Sequence, residues 1–147
     1  MTTPPSPLLV EITSFSFKEP IPAHLFSLEG GRHGGGFVFD CRSLPNPGRE
    51  DEFKSQTGLD EAVRRYLSQR IEVSQFRASV FSLIEPAVRN FIAREFTLMN
   101  VSFGCTGGQH RSVFMAEELA SHLKATFADA VRPSVIHDNL ARKGLLP

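Results

Sequence analysis

Apolar positions along the chain repeat with two periods, and each period predicts a different element. LLVEITSFSF (8–17) alternates apolar and polar positions and is rich in β-branched residues, so it predicts a strand. FVFDCR (37–42) is a short continuous apolar run, the pattern of a buried strand, with Asp40 and Arg42 at its end. TLMNVSFG (97–104) and VRPSVIH (131–137) predict two more. Helical spacing governs the rest. DEAVRRYLSQ (60–69) has Thr57 as its cap, with Asp60 and Glu61 in the first turn. In 72–96, Val73, Phe76, Val80, Ile84, Val88, Phe91 and Ile92 fall on one face, and Pro86 is expected to kink or split the helix. HRSVFMAEELASHLKATF (110–127) predicts a third, amphipathic helix.

The segments between are irregular. Residues 1–7 are proline-rich and polar and predict a disordered tail. Residues 18–36 form a long loop with five glycines between 30 and 36, and loops that long are often functional. His24 and His33 flank it and read as exposed loop histidines. Residues 43–59 are broken by Pro45, Pro47, Gly48 and Gly58. The tail HDNLARKGLLP, basic with an apolar end, either docks on a partner subunit or frays. Strands and helices mix without an internal repeat. This predicts a single α/β domain over 8–147, with a mixed or mostly parallel sheet and helices on both faces.

Composition narrows the function classes. A chain of 147 residues with 41% hydrophobic content suits one domain with one core. Sixteen basic and sixteen acidic residues give a net charge of +0, so bulk charge draws the protein to neither nucleic acid nor anionic lipid. Arg64, Arg65 and Arg70 beside Tyr66 are interrupted by Glu61 and Glu72 and read as a solvated face. MTTPPSP does not resemble a secretory leader, and no apolar run approaches the roughly 20 residues that cross a bilayer. A cytoplasmic protein is expected, with Cys41 and Cys105 as free thiols rather than a disulfide, and Cys41 in the core. No closely spaced Cys or His pair suggests a metal, and no cofactor is implied.

The candidate chemistry lies in FGCTGGQHRS (103–112), where a strand gives way through a glycine loop to a helix. Such a junction directs loop amides and unpaired helix N–H groups at one place, with the helix dipole adding positive potential. Gly107 and Gly108 let the backbone approach a ligand, Arg111 can fork onto phosphate, and Thr106 or Ser112 can add a hydroxyl. His110 in the first turn would aid phosphate binding if protonated, which the dipole opposes. The loop is neither a Walker A motif nor a dinucleotide fingerprint. Cys105, Gly108, Arg111 and Ser112 spell C-x-x-G-x-x-R-S, which looks like the phosphate loop of cysteine-dependent phosphatases. On that alternative Cys105 is the nucleophile, Arg111 holds the oxygens, and Asp40, Asp51 or Asp60 is a candidate acid. The simplest alternative is a glycine turn with Cys105 as a small buried hydrophobe.

Three ordered blocks, FVFDCRSLPNP, QTGLDEAV and VSFGCTGGQHRSV, resemble the C-terminal domain of the RapZ RNase adapter family over about residues 8–140. The resemblance implies a domain that senses a phosphorylated amino sugar, glucosamine-6-phosphate. In some bacteria it also implies binding of small regulatory RNAs and their presentation to an endoribonuclease, and it implies a homo-oligomer. Carried over by motif, Asp40, Arg42 and Asn46 belong to the first block, and Thr57, Gly58 and Asp60 to the second. The third holds Cys105, Thr106, Gly107, Gly108, His110, Arg111 and Ser112. Gln109 stands where the family has lysine, which removes one charge from the anion site. The resemblance does not reach that family's Walker-type N-terminal half. A stand-alone module without ATP-linked activity is therefore expected, and balanced charge works against an RNA role.

Overall fold

The computed structural model describes residues 5–22 and 33–147. Its elements are β1 (Leu8–Ser16), β2 (His33–Asp40), α1 (Glu61–Ser68), α2 (Ile71–Ala93), β3 (Leu98–Cys105), α3 (Arg111–Phe127), β4 (Val131–His137) and α4 (Asp138–Lys143). The strands form one sheet in the order β2-β3-β1-β4, and every neighbouring pair is parallel. The α/β reading with a parallel sheet is therefore correct.

One hydrophobic core lies on one face of that sheet. Val10 and Ile12 of β1 sit level with Met99 and Val101 of β3 and pack with Val80, Ile84 and Val88 of α2 and Leu119 and Leu123 of α3. The crossovers β2 to β3 and β3 to β4 step across the sheet in the same direction. The right-handed rule for parallel connections then places α2 and α3 on the same side. They meet there: Phe81 stacks on the His122 ring at 3.9 Å, and Arg77 pairs with Glu118. Among the described residues the long helices thus share a single face rather than flanking both. The alternate positions, such as Glu11, Thr13, Asn100 and Ser102, carry the polar face.

Near the carboxyl ends of the strands the core face itself turns polar. The Ser14 hydroxyl shares a hydrogen bond with His137 Nδ1 at 2.7 Å, and His137 Nε2 bonds Glu117 at 2.8 Å. This relay joins β1, β4 and α3, and the His137 hydrogen bond holds the Glu117 carboxyl below its ordinary range.

Four local expectations need correction. β2 begins at His33 and ends at Asp40, so it takes in the glycines of the preceding segment and leaves out Cys41 and Arg42. Of the kink or split expected at Pro86, the split does not occur, since α2 runs unbroken through it. Pro86 and Ser82 face solvent, so the carbonyl left without its amide is not sealed in the core, while Ile84 and Val88 on either side of Pro86 are buried. Thr57 does not cap α1. Asp60 occupies the cap position and its carboxylate accepts from the Thr57 amide at 2.7 Å, while Thr57 Oγ1 accepts from Leu59 at 3.1 Å. The C-terminal tail forms α4 on this chain's own β1, with Leu140 fully buried and Gly144 closing the helix in the left-handed region. The basic face of α1 is solvated as expected, with Arg65 paired to Glu61 and Arg70 lying over the Tyr66 ring. Residues 1–4 of the expected tail and His24 lie outside the described residues, and of His33 only the backbone is described.

Candidate functional site

The described residues just after β1, together with the chain after β2 and β3, meet at the carboxyl edge of the sheet, where open parallel sheets form their ligand crevices. The 106–110 loop is the centre of this meeting. Its carbonyls are all turned into the protein except that of Gly108. Phe17 N donates to Cys105 O (3.0 Å), Ser16 Oγ to Thr106 O (2.6 Å), Asn139 Nδ2 to Gly107 O, Gly58 N to Gln109 O (2.8 Å) and Phe114 N to His110 O (3.0 Å).

A trans peptide points its N–H opposite to its C=O, and no cis bond occurs among the described residues. The N–H groups of Thr106, Gly107, Gly108, His110 and Arg111 therefore face away from those partners. Among the described residues none of the five finds an acceptor. Four of these five residues, all but Gly108, border a cavity of about 230 Å³ lined by Lys18, Asn46, Gly48, Lys54, Cys105, Thr106, Gly107, Gln109, His110 and Arg111. A second cavity of about 540 Å³ adjoins it and is lined by residues 42–46, Arg49, Glu72, Thr106 and Arg111. A larger one, about 670 Å³, lies at the far end of the sheet against Pro7, Val131 and Pro133, away from the glycine loop.

Two glycines make this geometry attainable. Gly108 has φ +61, and a Cβ there would lie 2.8 Å from Asn139 Cβ and 2.9 Å from Ser16 N. Gly58 passes so close to the start of α3 that a Cβ would lie 2.4 Å from the His110 carbonyl. This is why the second sequence block is needed by the third.

The sequence-derived site residues separate into three groups. Thr106, Gly107 and Asn46 border the smaller cavity, whereas Gly108 is buried against Asn139 and Ser16 and shapes the loop. Asn46 uses Oδ1 to accept from Gly48 N at 2.9 Å, which leaves its amide nitrogen beside the cavity. Arg111 borders both cavities at 4% exposure. Its Nη1 donates to Arg42 O (2.9 Å) and Leu44 O (3.0 Å), and its Nε is buried without a partner. A permanently charged group with an unmet buried donor favours an incoming oxyanion.

The second group fastens the loop. Gln109 Nε2 donates to Lys54 O (3.0 Å) and Gln56 O (2.7 Å). His110 Nε2 donates to Phe53 O at 2.8 Å. Burial pushes the His110 pKa below its ordinary value, and Arg111 and Lys143 push the same way, so the ring is neutral. Ser112 is fully buried and accepts the Cys105 thiol at 3.1 Å. Cys105 is 2% exposed, and burial raises the pKa of Cys41 well above its usual range.

The third group is not brought to the loop. Asp40 forms a bidentate pair with Arg42 (2.6 Å at the shortest), which holds its carboxyl below the usual range. The Arg42 guanidinium lies 4.1 Å over the Phe17 ring. Arg42 borders only the second cavity and Asp40 neither. The other carboxylates considered as acids are also occupied, Asp51 by Lys54 and Asp60 by the Thr57 amide. Lys18, Lys54 and Asn139 are site residues that pattern reading missed. Lys18 carried a usable signal, because it follows the carboxyl end of a central parallel strand.

The neutral His110 makes fold stability depend on pH. Its folded-state pKa lies below the unfolded value near 6.5. The unfolded chain therefore binds the proton first, and the contribution present above pH 6.5 is lost as pH falls through the folded value. The melting temperature is expected to fall as pH is lowered below about 6.5, and His110→Gln should flatten that slope. Melting curves across this range check it.

Fold and site together define a small parallel α/β domain with an outward-facing ring of main-chain donors at the sheet's carboxyl edge. The chain belongs to the RapZ C-terminal domain family, whose sequence pattern matches residues 8–140. Relatives called nucleotide-binding protein occur in Tolumonas auensis (44% identical over 102 residues, 67% of this chain and 35% of that protein) and Alkalilimnicola ehrlichii (41% over 122 residues, 80% and 41%). Another, in Shewanella halifaxensis, is 36% identical over 117 residues, 80% of this chain and 38% of that protein. The chain thus spans about two fifths of the length of these curated relatives. No helix among the described residues is long and apolar enough to cross a membrane.

Proposed function

We propose that this domain is a reversible binding module for a small phosphorylated metabolite, an aminosugar phosphate such as glucosamine-6-phosphate, and that occupancy has regulatory consequences. The family supports the coarser reading of a regulatory nucleotide- or phosphate-binding module. The observation that carries the finer reading is the set of unpaired amides at Thr106, Gly107, Gly108, His110 and Arg111, all turned from their carbonyl partners. The phosphate sits on these amides and the buried Arg111, with Lys18 and Lys54 at the rim. The sugar extends past Asn46 toward the second cavity, where Glu72 is the one acidic residue among those lining either space. An ammonium group suits that carboxylate.

Phosphatase chemistry at Cys105 is the weaker reading. No carboxylate borders the smaller cavity to protonate a leaving group, and Asp40, Asp51 and Asp60 are engaged elsewhere. Presentation of regulatory RNA belongs to the full-length adapter reading, and no feature of this site requires it.

Titration calorimetry with glucosamine-6-phosphate, glucose-6-phosphate and inorganic phosphate tests the proposal. Saturable binding of all three is expected, tightest for the aminosugar, with amide shifts at Thr106–Arg111 in NMR spectra. No heat and no shift at millimolar concentrations of any of them would remove it.

A further inference from the structure

Cys41 and Cys105 form a second chemically competent feature that phosphate binding does not use. The β2–β3 ladder runs through Phe39 opposite Phe103 and Asp40 opposite Gly104. The Cys41 amide then donates to the Gly104 carbonyl at 2.7 Å. In a parallel ladder that bond places Cys41 across from Cys105. Two residues earlier the Phe39 and Phe103 rings stack at 5.4 Å, so the period of two puts both thiols on that same face. Neighbouring strands run about 4.8 Å apart, inside the roughly 4.4–6.8 Å that disulfide-linked Cα atoms span. Both thiols are free. Cys105 also borders the smaller cavity, the side from which a small oxidant would reach it.

We propose that Cys41 and Cys105 are a reversible thiol–disulfide site, oxidised by a hydroperoxide, that weakens the adjoining anion loop when it closes. Cys105 loses its proton to solvent, and its sulfur attacks a peroxide oxygen. The O–O bond breaks, leaving a sulfenic acid and a hydroxide that takes up a proton. Cys41 sulfur attacks the sulfenic sulfur, the S–S bond forms, and the departing hydroxide leaves as water with the Cys41 proton. With hydrogen peroxide, two thiols are oxidised and one peroxide is reduced to two waters. A dithiol reverses the change. Burial keeps Cys41 protonated, so it is the slower, resolving partner. Closure draws Cys105 Sγ from Ser112 Oγ and shifts the chain at residue 41. The carbonyls of Arg42 and Leu44, which hold Arg111, follow directly. The pairing stands by itself, whereas its effect on anions rests on the phosphate-binding reading above.

The test treats the reduced wild-type protein with hydrogen peroxide. Intact mass should fall by two hydrogens, peptide mapping should join Cys41 to Cys105 within one chain, and dithiothreitol should restore both thiols. Affinity for inorganic phosphate should drop by roughly tenfold or more, the worth of one charge-assisted hydrogen bond. Cys41→Val should stop at a Cys105 sulfenic acid that a dimedone probe captures. Thiols that stay unpaired while a denatured control oxidises, or disulfides formed only between chains, overturn the site. An intramolecular disulfide with unchanged phosphate affinity overturns the switch. If the reduced protein binds no phosphate, the phosphate reading fails, and the mapped disulfide still decides the pairing.

Discussion

Arg111→Lys is expected to weaken phosphate binding by about a hundredfold or more, and to lower stability by about 2–4 kcal/mol. The two effects share one cause. The guanidinium reaches two carbonyls, Arg42 O and Leu44 O, through a single nitrogen, and keeps further donors for the cavity. An ammonium on a flexible stem cannot hold both carbonyls and face an oxyanion as well. The buried carbonyl of Leu44 then loses its charged partner, and the chain after β2 loses its attachment to α3. Chemical denaturation measures the stability loss. Phosphate titration, at a temperature where both proteins are folded, measures the rest. Phosphate affinity within a factor of about three of wild type would show that Arg111 only braces the fold, and the proposed ligand geometry would be wrong.

Gly108→Ala is the second large effect, and Gly107→Ala is its control. At Gly108 two costs combine. An L-residue at φ +61 costs about 1–2 kcal/mol, and the new methyl would press on Asn139 Cβ and on the backbone of Phe15 and Ser16. Neither neighbour can withdraw cheaply, since β1 is a central strand and Asn139 is tied to Gly107 O. A loss of about 2–4 kcal/mol follows, or roughly 5–15 °C in melting temperature. At Gly107 the added methyl meets nothing within 4 Å and φ is not positive. Gly107→Ala should therefore leave the melting temperature nearly unchanged while crowding the cavity and weakening phosphate. Equal melting temperatures for the two variants would contradict this account of the loop.

How much was legible in the sequence depends on the range of the deciding interaction. The alternation in 8–17 and the apolar runs at 97–104 and 131–137 located β1, β3 and β4 to within a residue, because the burial of a strand face is written in its own period. The strand–glycine–helix junction marked the candidate site for the same reason. β2 was misplaced by four residues at its start, because glycines carry no such period. α4 was missed because six residues form a helix only when Leu140 has a core to enter.

The sequence by itself determined the types of the four strands and three longer helices, the glycine loop after β3 and the family. Tertiary structure alone decided the strand order and which side chains are already engaged. Gln109, His110 and Ser112 looked like ligand groups beside Arg111, yet each is held by a protein partner, two of them from the chain between β2 and α1. Direction settles the difference: sequence gives the donors along a loop, but where each points is fixed by carbonyl partners up to about ninety residues away.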